Sequence, residues 1–149
     1  MRMTRLRHLL LPLAVTASFV AACGDADRSG LVESLVGHRY VAVSSSGIEL
    51  PAGSSLGISF EAPGDEAGAD GRLGVSGGCN LIGGGYALDD RDSLRSVGGW
   101  IQTEMACDEP RMALDAAVVT LLDSSPTLSL EGTTLTITSG ATRLTLEQE

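Results

Sequence analysis

The middle of this 149-residue chain contains a distinctive run of small and apolar residues, Gly78-Cys79-Asn80-Leu81-Ile82-Gly83-Gly84-Gly85-Tyr86. Its apolar residues indicate a β-strand over residues 80–88. Glycine weakens a strand and marks either a bulge or a place where a neighbouring backbone comes very close. The run therefore predicts a strand that is interrupted at its three consecutive glycines.

Further strands are predicted on both sides of this run, because apolar and polar residues alternate there with a period of two. Before it, the alternating segments are residues 40–43, 56–60 and 73–75. After it, they are residues 94–97, 128–130, 134–137 and 143–146. Glycine, aspartate and proline predict a loop at 62–71 and turns at 89–92, Glu131-Gly132 and Ser139-Gly140. The chain length after the N-terminal segment fits one domain.

One helix interrupts the predicted strands. Asp108 is a suitable N-cap, and Pro110 falls in the first turn, where the missing N–H of proline is not needed. Apolar residues then recur at three- and four-residue spacing and form one stripe, which consists of Leu114, Val118, Leu121 and Leu122. Asp115 and Asp123 are predicted to lie off this stripe. The helix should end before Pro126, and its stripe should pack on a sheet or cap a barrel end.

The N-terminus has the layout of a secretory signal peptide. Three arginines within the first seven residues precede an apolar segment, residues 9–20, that is short for a membrane span. Two alanines then precede Cys23, an arrangement that resembles the bacterial lipobox. The resemblance implies a signal peptide of residues 1–22 and lipidation of Cys23, with two or three acyl chains sufficient for stable anchoring. The alternatives are a plain secretory signal with a chance cysteine and an uncleaved anchor.

The mature chain would be strongly acidic. All 19 acidic residues follow Cys23, whereas three of the ten basic residues precede it, so removal of the signal peptide leaves a net charge of −12. A negative surface repels nucleic acid and anionic lipid headgroups, and neither is an expected partner. Residues 24–30 are small and polar, so residues 23–33 are predicted to be the lipidated cysteine and a flexible tether.

The motif around Cys79 and a second motif around Cys107 together resemble a known family. The first fits the pattern G-C-N-x-x-x-G-x-Y, and the second, residues 103–107, fits T-x-M-A-C and leads directly into the predicted helix. In this order they resemble the META domain, the HslJ-like family of bacterial lipoproteins, which we assign to residues 34–149. Two features depart from the family pattern: Tyr40 stands near the usual tryptophan, and the loop 62–71 is long and acidic.

The resemblance implies a mainly β (α+β) fold, in which a small antiparallel β-barrel-like or strongly curved sheet carries one packed amphipathic helix. It also implies a location in the cell envelope, a link to stress tolerance, and no established catalytic activity. The family pattern further implies that Cys79 and Cys107 form a disulfide, which agrees with the oxidation of most cysteine pairs in exported proteins.

Five further residues match signature positions of the family: Asn80, Gly84, Tyr86, Thr103 and Met105. From its residue type, Asn80 is expected to hydrogen-bond local backbone in a tight turn. Tyr86 is expected to pack its ring while its hydroxyl reaches water or a carbonyl. Contact with a ligand is the alternative for both residues.

Catalytic and metal-binding interpretations lack the residues that they need. The run Gly74-Val75-Ser76-Gly77-Gly78 matches G-x-S-x-G, but the following residues predict a strand rather than the helix of a nucleophile elbow, and His38 is the only histidine after residue 23. The cysteines lack zinc spacing, and the acidic residues near Cys107 do not favour a reactive thiol. We expect no enzyme activity, no metal and no cofactor. Trp100 could stack a ligand, although a place in the strand core is favoured.

The sequence thus predicts a non-catalytic lipoprotein, anchored through the lipid on Cys23 at the extracytoplasmic face of the cell membrane. Its domain would act as a monomeric interaction or stress-protective module with an envelope protein as its partner. The alternative is a carrier of a small apolar ligand or lipid in a lipocalin-like barrel.

Overall fold

The computed structural model describes residues 25–149, which form two helices and eight strands. In chain order these are α1 (Asp25–Leu35), β1 (Arg39–Ser46), β2 (Gly57–Glu61), β3 (Gly71–Ser76), β4 (Ile82–Leu88), β5 (Leu94–Gln102), α2 (Glu109–Asp123), β6 (Thr127–Glu131), β7 (Thr134–Ser139) and β8 (Thr142–Gln148). The predicted signal peptide, residues 1–22, and the predicted lipidation site Cys23 lie outside the described residues. Neither described helix is long and apolar enough to cross a membrane.

The eight strands form a single antiparallel sheet with the order β5-β4-β3-β2-β1-β8-β7-β6. The sheet curls into a half-barrel, so that its two edge strands approach each other where they begin. There, Ser93 and Thr127 form an isolated bridge, and the Leu94 N–H donates a hydrogen bond to the Pro126 carbonyl at 2.8 Å. The predicted fold class, a mainly β curved sheet with a packed helix, is confirmed.

The concave side of the sheet is filled by side chains. Along β3, residues alternate between buried and partly exposed, which places Leu73 and Val75 in the core. Three buried aromatic rings pack edge to face in a row, with centroids 6.0 Å apart for Tyr40 and Phe60 and 5.5 Å apart for Phe60 and Tyr86. Such pairs stabilise the folded state beyond the burial of their area. We call this row the aromatic core.

All eight predicted strands are present, and the largest difference is at the end of β5. The predicted irregularity in the glycine run is confirmed, because the register between β4 and β5 shifts between Gly83 and Gly85. β5 was expected to end at Val97, but it continues to Gln102. The extension passes through Gly98 and Gly99, whose φ angles of 82° and 88° suit glycine and interrupt the alternation that marks a strand in the sequence.

The long helix α2 is formed as predicted in most respects. Asp108 is the N-cap residue, but its side chain makes no capping hydrogen bond and instead pairs with Arg111. All four residues of the apolar stripe are buried, and the helix ends at Asp123. Asp115 is buried together with the stripe, contrary to the prediction.

The short helix α1 was not predicted, and it lies where the sequence suggested a tether. Leu35 at its end is fully buried, and Leu31 and Val32 pack against the core. The Tyr40 hydroxyl donates a hydrogen bond to the Ser34 carbonyl at 3.4 Å. Contact with the sheet therefore accounts for a helix whose small, polar residues give it little amphipathic pattern of its own.

Candidate functional site

A disulfide joins two loops at one end of the sheet. Cys79 lies between β3 and β4, Cys107 lies between β5 and α2, and their Cα atoms are 5.7 Å apart. The predicted pairing is confirmed. In the chain-entropy model, a closed loop of this length stabilises the folded state by about 3.6 kcal/mol. The bond fixes the segment that leads into α2 to the segment that leads into β4.

Asp115 on α2 provides a second tie between these segments. Its Oδ1 accepts a hydrogen bond from the Cys79 N–H at 3.1 Å, and its Oδ2 accepts two from Asn80, from the backbone N–H at 2.8 Å and from Nδ2 at 2.9 Å. These partners compensate for burying a carboxylate. The prediction that Asp115 lies off the buried stripe is wrong, because it precedes Val118 by three residues and Leu122 by seven and so shares their side of the helix.

Gly78 makes the close approach of Asp115 possible. A Cβ atom at position 78 would lie 1.9 Å from Asp115 Oδ1 and 3.3 Å from the carbonyl oxygen of Arg111. The first distance is far inside van der Waals contact, so a side chain at position 78 would displace the Asp115 carboxylate from the loop. The glycine of the G-C-N motif is therefore required by the carboxylate that binds the next two backbone N–H groups.

Asn80 extends the tie to the end of β5. Its Oδ1 accepts hydrogen bonds from Thr103 Oγ1 at 3.0 Å and from the Met105 N–H at 2.7 Å. Thr103 also bonds twice to Leu81, because its N–H donates to the Leu81 carbonyl and its Oγ1 accepts from the Leu81 N–H. The sequence predicted only local backbone bonds for Asn80, whereas its partners lie 25 and 35 residues away at Met105 and Asp115.

These residues form one structural unit, which we call the junction: residues 78–81, residues 103–107 and Asp115. It brings together three of the five signature residues, Asn80, Thr103 and Met105, with both cysteines of the disulfide. Both sequence motifs are thus explained as the two halves of a single tie. The residue that the sequence analysis missed is Asp115. It belongs to neither motif, and only its position on the buried side of α2 identifies it.

The other two signature residues lie farther along β4 and serve packing. A Cβ atom at Gly84 would lie 2.7 Å from the Gly99 carbonyl oxygen and 3.2 Å from Trp100 Cε3, so glycine allows the bulged part of β5 to approach. Trp100 lies in β5 and packs partly buried against the core, as favoured from the sequence. Tyr86 is fully buried in the aromatic core.

Of the two partners predicted for the Tyr86 hydroxyl, a carbonyl or water, the carbonyl is not found among the described residues. Among the protein atoms of residues 25–149, the hydroxyl has no hydrogen-bond partner. Burial, with a smaller contribution from the negative charge of Asp70, raises the pKa of Tyr86 to about 12. The ring therefore contributes packing, and the hydroxyl stays neutral over the physiological pH range.

Exposed apolar side chains surround the junction. Among the described residues, five large apolar side chains are exposed: Leu81 (61%), Ile101 (69%), Met105 (59%), Met112 (47%) and, elsewhere on β1, Val43 (58%). We call the first four the apolar patch. Contiguous exposed apolar surface in a folded protein marks a site of interaction more often than a single exposed side chain does.

Three members of the patch line two grooves that have one lining residue in common. Leu81 and Ile101 line a groove that also includes Gly83. Gly83 pairs with Ile101, and because it has no side chain, it leaves space between the side chains of Leu81 and Ile101. Met112 lines the neighbouring groove together with Asn80, and Gln102 borders both grooves. The hydrogen bond from the Met105 N–H to Asn80 places Met105 at the same end of the sheet.

The other candidate residues lie elsewhere. Ser76 ends β3 and its Oγ accepts a hydrogen bond from Arg39 at 3.2 Å, and the chain continues through a bend into β4 rather than into a helix. His38 pairs with Gln148 at 2.9 Å. The segment around Ser76 therefore does not have the strand–turn–helix geometry of a nucleophile elbow.

The acidic clusters serve as turns or ion pairs. Asp89 Oδ1 accepts hydrogen bonds from the N–H groups of Ser93 and Arg91, which lower the pKa of Asp89 and close the predicted turn. Glu66 pairs with Arg72. Within residues 25–149, no group of three or more His, Cys, Asp or Glu side chains is arranged to hold a metal ion.

Comparisons with known proteins agree with this architecture. A structure solved by NMR has a similar fold, with a TM-score of 0.60 and 24% sequence identity over 78% of this chain and 92% of the other. At this level of identity, the likeness supports the fold alone. No curated protein matches the chain. A family model described as the META domain matches residues 33–149, which include the junction and the aromatic core, and the chain therefore belongs to the META-domain family.

Proposed function

We propose that this protein is a membrane-anchored lipoprotein of the cell envelope whose META domain acts as a non-catalytic interaction module. The anchor would be the lipid on Cys23 and the location the extracytoplasmic face of the membrane, as the N-terminal sequence suggests. The domain would act as a monomer that contacts an envelope protein, and this contact would provide its stress-protective role.

The apolar patch is the observation that carries the proposal. Each of its four side chains is about half exposed or more, although exposure of apolar surface to water is unfavourable. The junction holds the backbone beneath the patch with a disulfide and a set of hydrogen bonds. A fixed backbone reduces the loss of conformational entropy on binding, so the patch is suited to bind a partner.

The anchor can be tested by labelling. Cells that express the full chain are fed an alkyne-tagged fatty acid, and the wild type is compared with Cys23→Ala. We expect label and membrane association in the wild type and the loss of both in Cys23→Ala. Cys107→Ala is the matched control, because it also removes a cysteine but lies in the folded domain. Equal labelling of wild type and Cys23→Ala would contradict the anchoring proposal.

The interaction role can be tested by photo-crosslinking in living cells. A photoreactive amino acid is placed at position 101 in the patch or at position 43, which is comparably exposed but lies outside it. We expect discrete crosslinked species from position 101 and none from position 43. Equal patterns from the two positions, or no species from position 101, would contradict a role for the patch.

The alternative function is a carrier of a small apolar ligand, and its ligand would bind elsewhere in the molecule. The interior of the half-barrel is filled by the core, with Tyr40, Phe60 and Tyr86 at most 1% exposed. A groove of about 390 Å³ lies outside it, between α2 and residues 47–51, and includes Ile48, Pro51 and Leu114 in its lining. Native mass spectrometry of the exported protein distinguishes the two functions, because a carrier would retain a bound mass.

A further inference from the structure

The charges around the apolar patch indicate what kind of partner fits it. Glu104 precedes Met105, and Asp108 and Glu109 follow the disulfide at the start of α2. Against these three carboxylates stands one cation, Arg111, which pairs with Asp108. Within the described residues, Glu104 and Glu109 take part in no ion pair. Glu104 adjoins Met105 in the chain, and Glu109 lies one helical turn before Met112, so these two carboxylates, which we call the acidic rim, border the patch.

We infer that the patch binds a protein segment that presents apolar side chains flanked by lysine or arginine. This inference rests on the proposed interaction role and adds the chemistry of the partner. The groove between Leu81 and Ile101 would receive an apolar side chain, and Met105 and Met112 would adapt to it because unbranched thioether side chains repack easily. The flanking cations would pair with Glu104 and Glu109 at the rim.

Charge disfavours the other occupants of such a surface. A second copy of the chain would bring one acidic rim against another, and the chain after Cys23 carries a net charge of −12. An anionic membrane surface would be repelled for the same reason. A basic partner is attracted to the acidic rim at long range. Its apolar residues then make the short-range contacts with the patch.

Two synthetic peptides test the inference on the purified full chain in a zwitterionic detergent. One alternates leucine with lysine and the other alternates leucine with glutamate, and binding is followed by fluorescence anisotropy at low salt. We expect the lysine peptide to bind at least about tenfold more tightly than the glutamate peptide. Equal affinities would overturn the predicted partner chemistry.

Three variants locate the binding site. The double variant Leu81→Ser/Ile101→Ser should weaken the lysine peptide about tenfold or more, because it removes both walls of the groove. Glu104→Gln/Glu109→Gln should weaken it several-fold and reduce its dependence on salt. Val43→Ser is the matched control, since it replaces an equally exposed apolar residue outside the patch, and it should bind as the wild type does.

The outcomes separate the inference from the proposed function. If the patch variant and Val43→Ser bind the lysine peptide equally, the patch is not the site and the inference fails. If light scattering shows that the wild type dimerises and Leu81→Ser/Ile101→Ser does not, the occupant is a second copy and the inference fails. Crosslinks from position 101 to a different protein, together with either result, would leave the interaction role intact, whereas loss of those crosslinks would remove the interaction role itself.

Discussion

The two ends of β4 are held in opposite ways. At its start, the junction joins three segments through a disulfide, a buried carboxylate and an asparagine that bonds in three directions. Toward its other end, Tyr86 packs in the aromatic core without a polar partner among the described residues. The same nine-residue motif therefore supplies both a polar tie and an apolar anchor.

This difference suggests different roles for the two regions: the aromatic core stabilises the domain, and the junction positions the exposed apolar patch. Packing of the aromatic core needs no directional bonds, because burial of ring area is favourable in many arrangements. Hydrogen bonds fix a geometry, and those at the junction fix the loop that carries Met105 and the edge of the groove beside Leu81. We therefore expect the aromatic core to dominate stability and the junction to control the exposed patch.

The largest effect on stability should come from the aromatic core. Tyr86→Ala removes a fully buried ring and leaves a cavity beside Phe60, and we expect a loss of about 4 kcal/mol in the free energy of unfolding. Urea denaturation measures this loss. Val43→Ala, at an exposed position, is the control and should change stability by less than about 0.5 kcal/mol. A loss below about 1 kcal/mol in Tyr86→Ala would show that the core can collapse around the missing ring.

Removal of the disulfide should be the next largest effect, and it should act mainly at the junction. We expect Cys79→Ser/Cys107→Ser to lose about 3 kcal/mol, since the unfolded chain is no longer constrained. Hydrogen exchange should increase at residues 103–107 more than in β2 and β3. Reduced wild-type protein is the control and should behave like the double variant. An unchanged melting temperature would contradict a stabilising disulfide.

Breaking the carboxylate tie should cost somewhat less. Asp115→Ala leaves the buried N–H of Cys79 and the partly buried N–H of Asn80 without their acceptor, which should destabilise the protein by about 2 kcal/mol. Asp123→Ala is the matched control, because Asp123 is an exposed aspartate on the same helix. Thermal denaturation compares the two. If both variants melt alike, the hydrogen bonds of Asp115 contribute little to stability.

The sequence predicted those parts of the fold that depend on local pattern. Alternation identified all eight strands, the glycine run predicted the irregular register at Gly83–Gly85, and Asp108 with Pro110 marked the start of α2. In each case, the deciding signal lies in residues that are close together in the sequence. The disulfide followed from the resemblance of two motifs rather than from any local pattern.

The parts that were missed depend on contacts between distant segments. Asp115 has an ordinary polar side chain on the helical wheel, and only its partners 35 and 36 residues earlier in the chain make burial favourable. Helix α1 has little amphipathic pattern and owes its place to packing of Leu35. The apolar patch could not be recognised either, because Leu81 and Ile101 each stand beside another apolar residue, Ile82 and Trp100, and only the strand pairing shows which of the two faces the core.

The smallest effect on stability should come from the hydroxyl of Tyr86. Because this hydroxyl has no protein hydrogen-bond partner among the described residues, Tyr86→Phe should change stability by less than about 0.5 kcal/mol near neutral pH. The same position should nevertheless control stability in strong base. A tyrosine in the unfolded chain loses its proton near pH 10, whereas burial keeps the folded pKa of Tyr86 at about 12.

Between these two pKa values, the unfolded state releases a proton that the folded state keeps, so stability is lost as the pH rises through this interval. Urea denaturation at about pH 8 and about pH 11 should therefore show a smaller decline for Tyr86→Phe than for the wild type. Tyr40, whose pKa is also raised by burial, remains in both proteins and contributes equally to both declines. Equal declines would mean that the Tyr86 hydroxyl reaches a partner or solvent in the folded state. The aromatic core would then be held by polar contacts as well as by packing, and it would differ less from the junction than we infer.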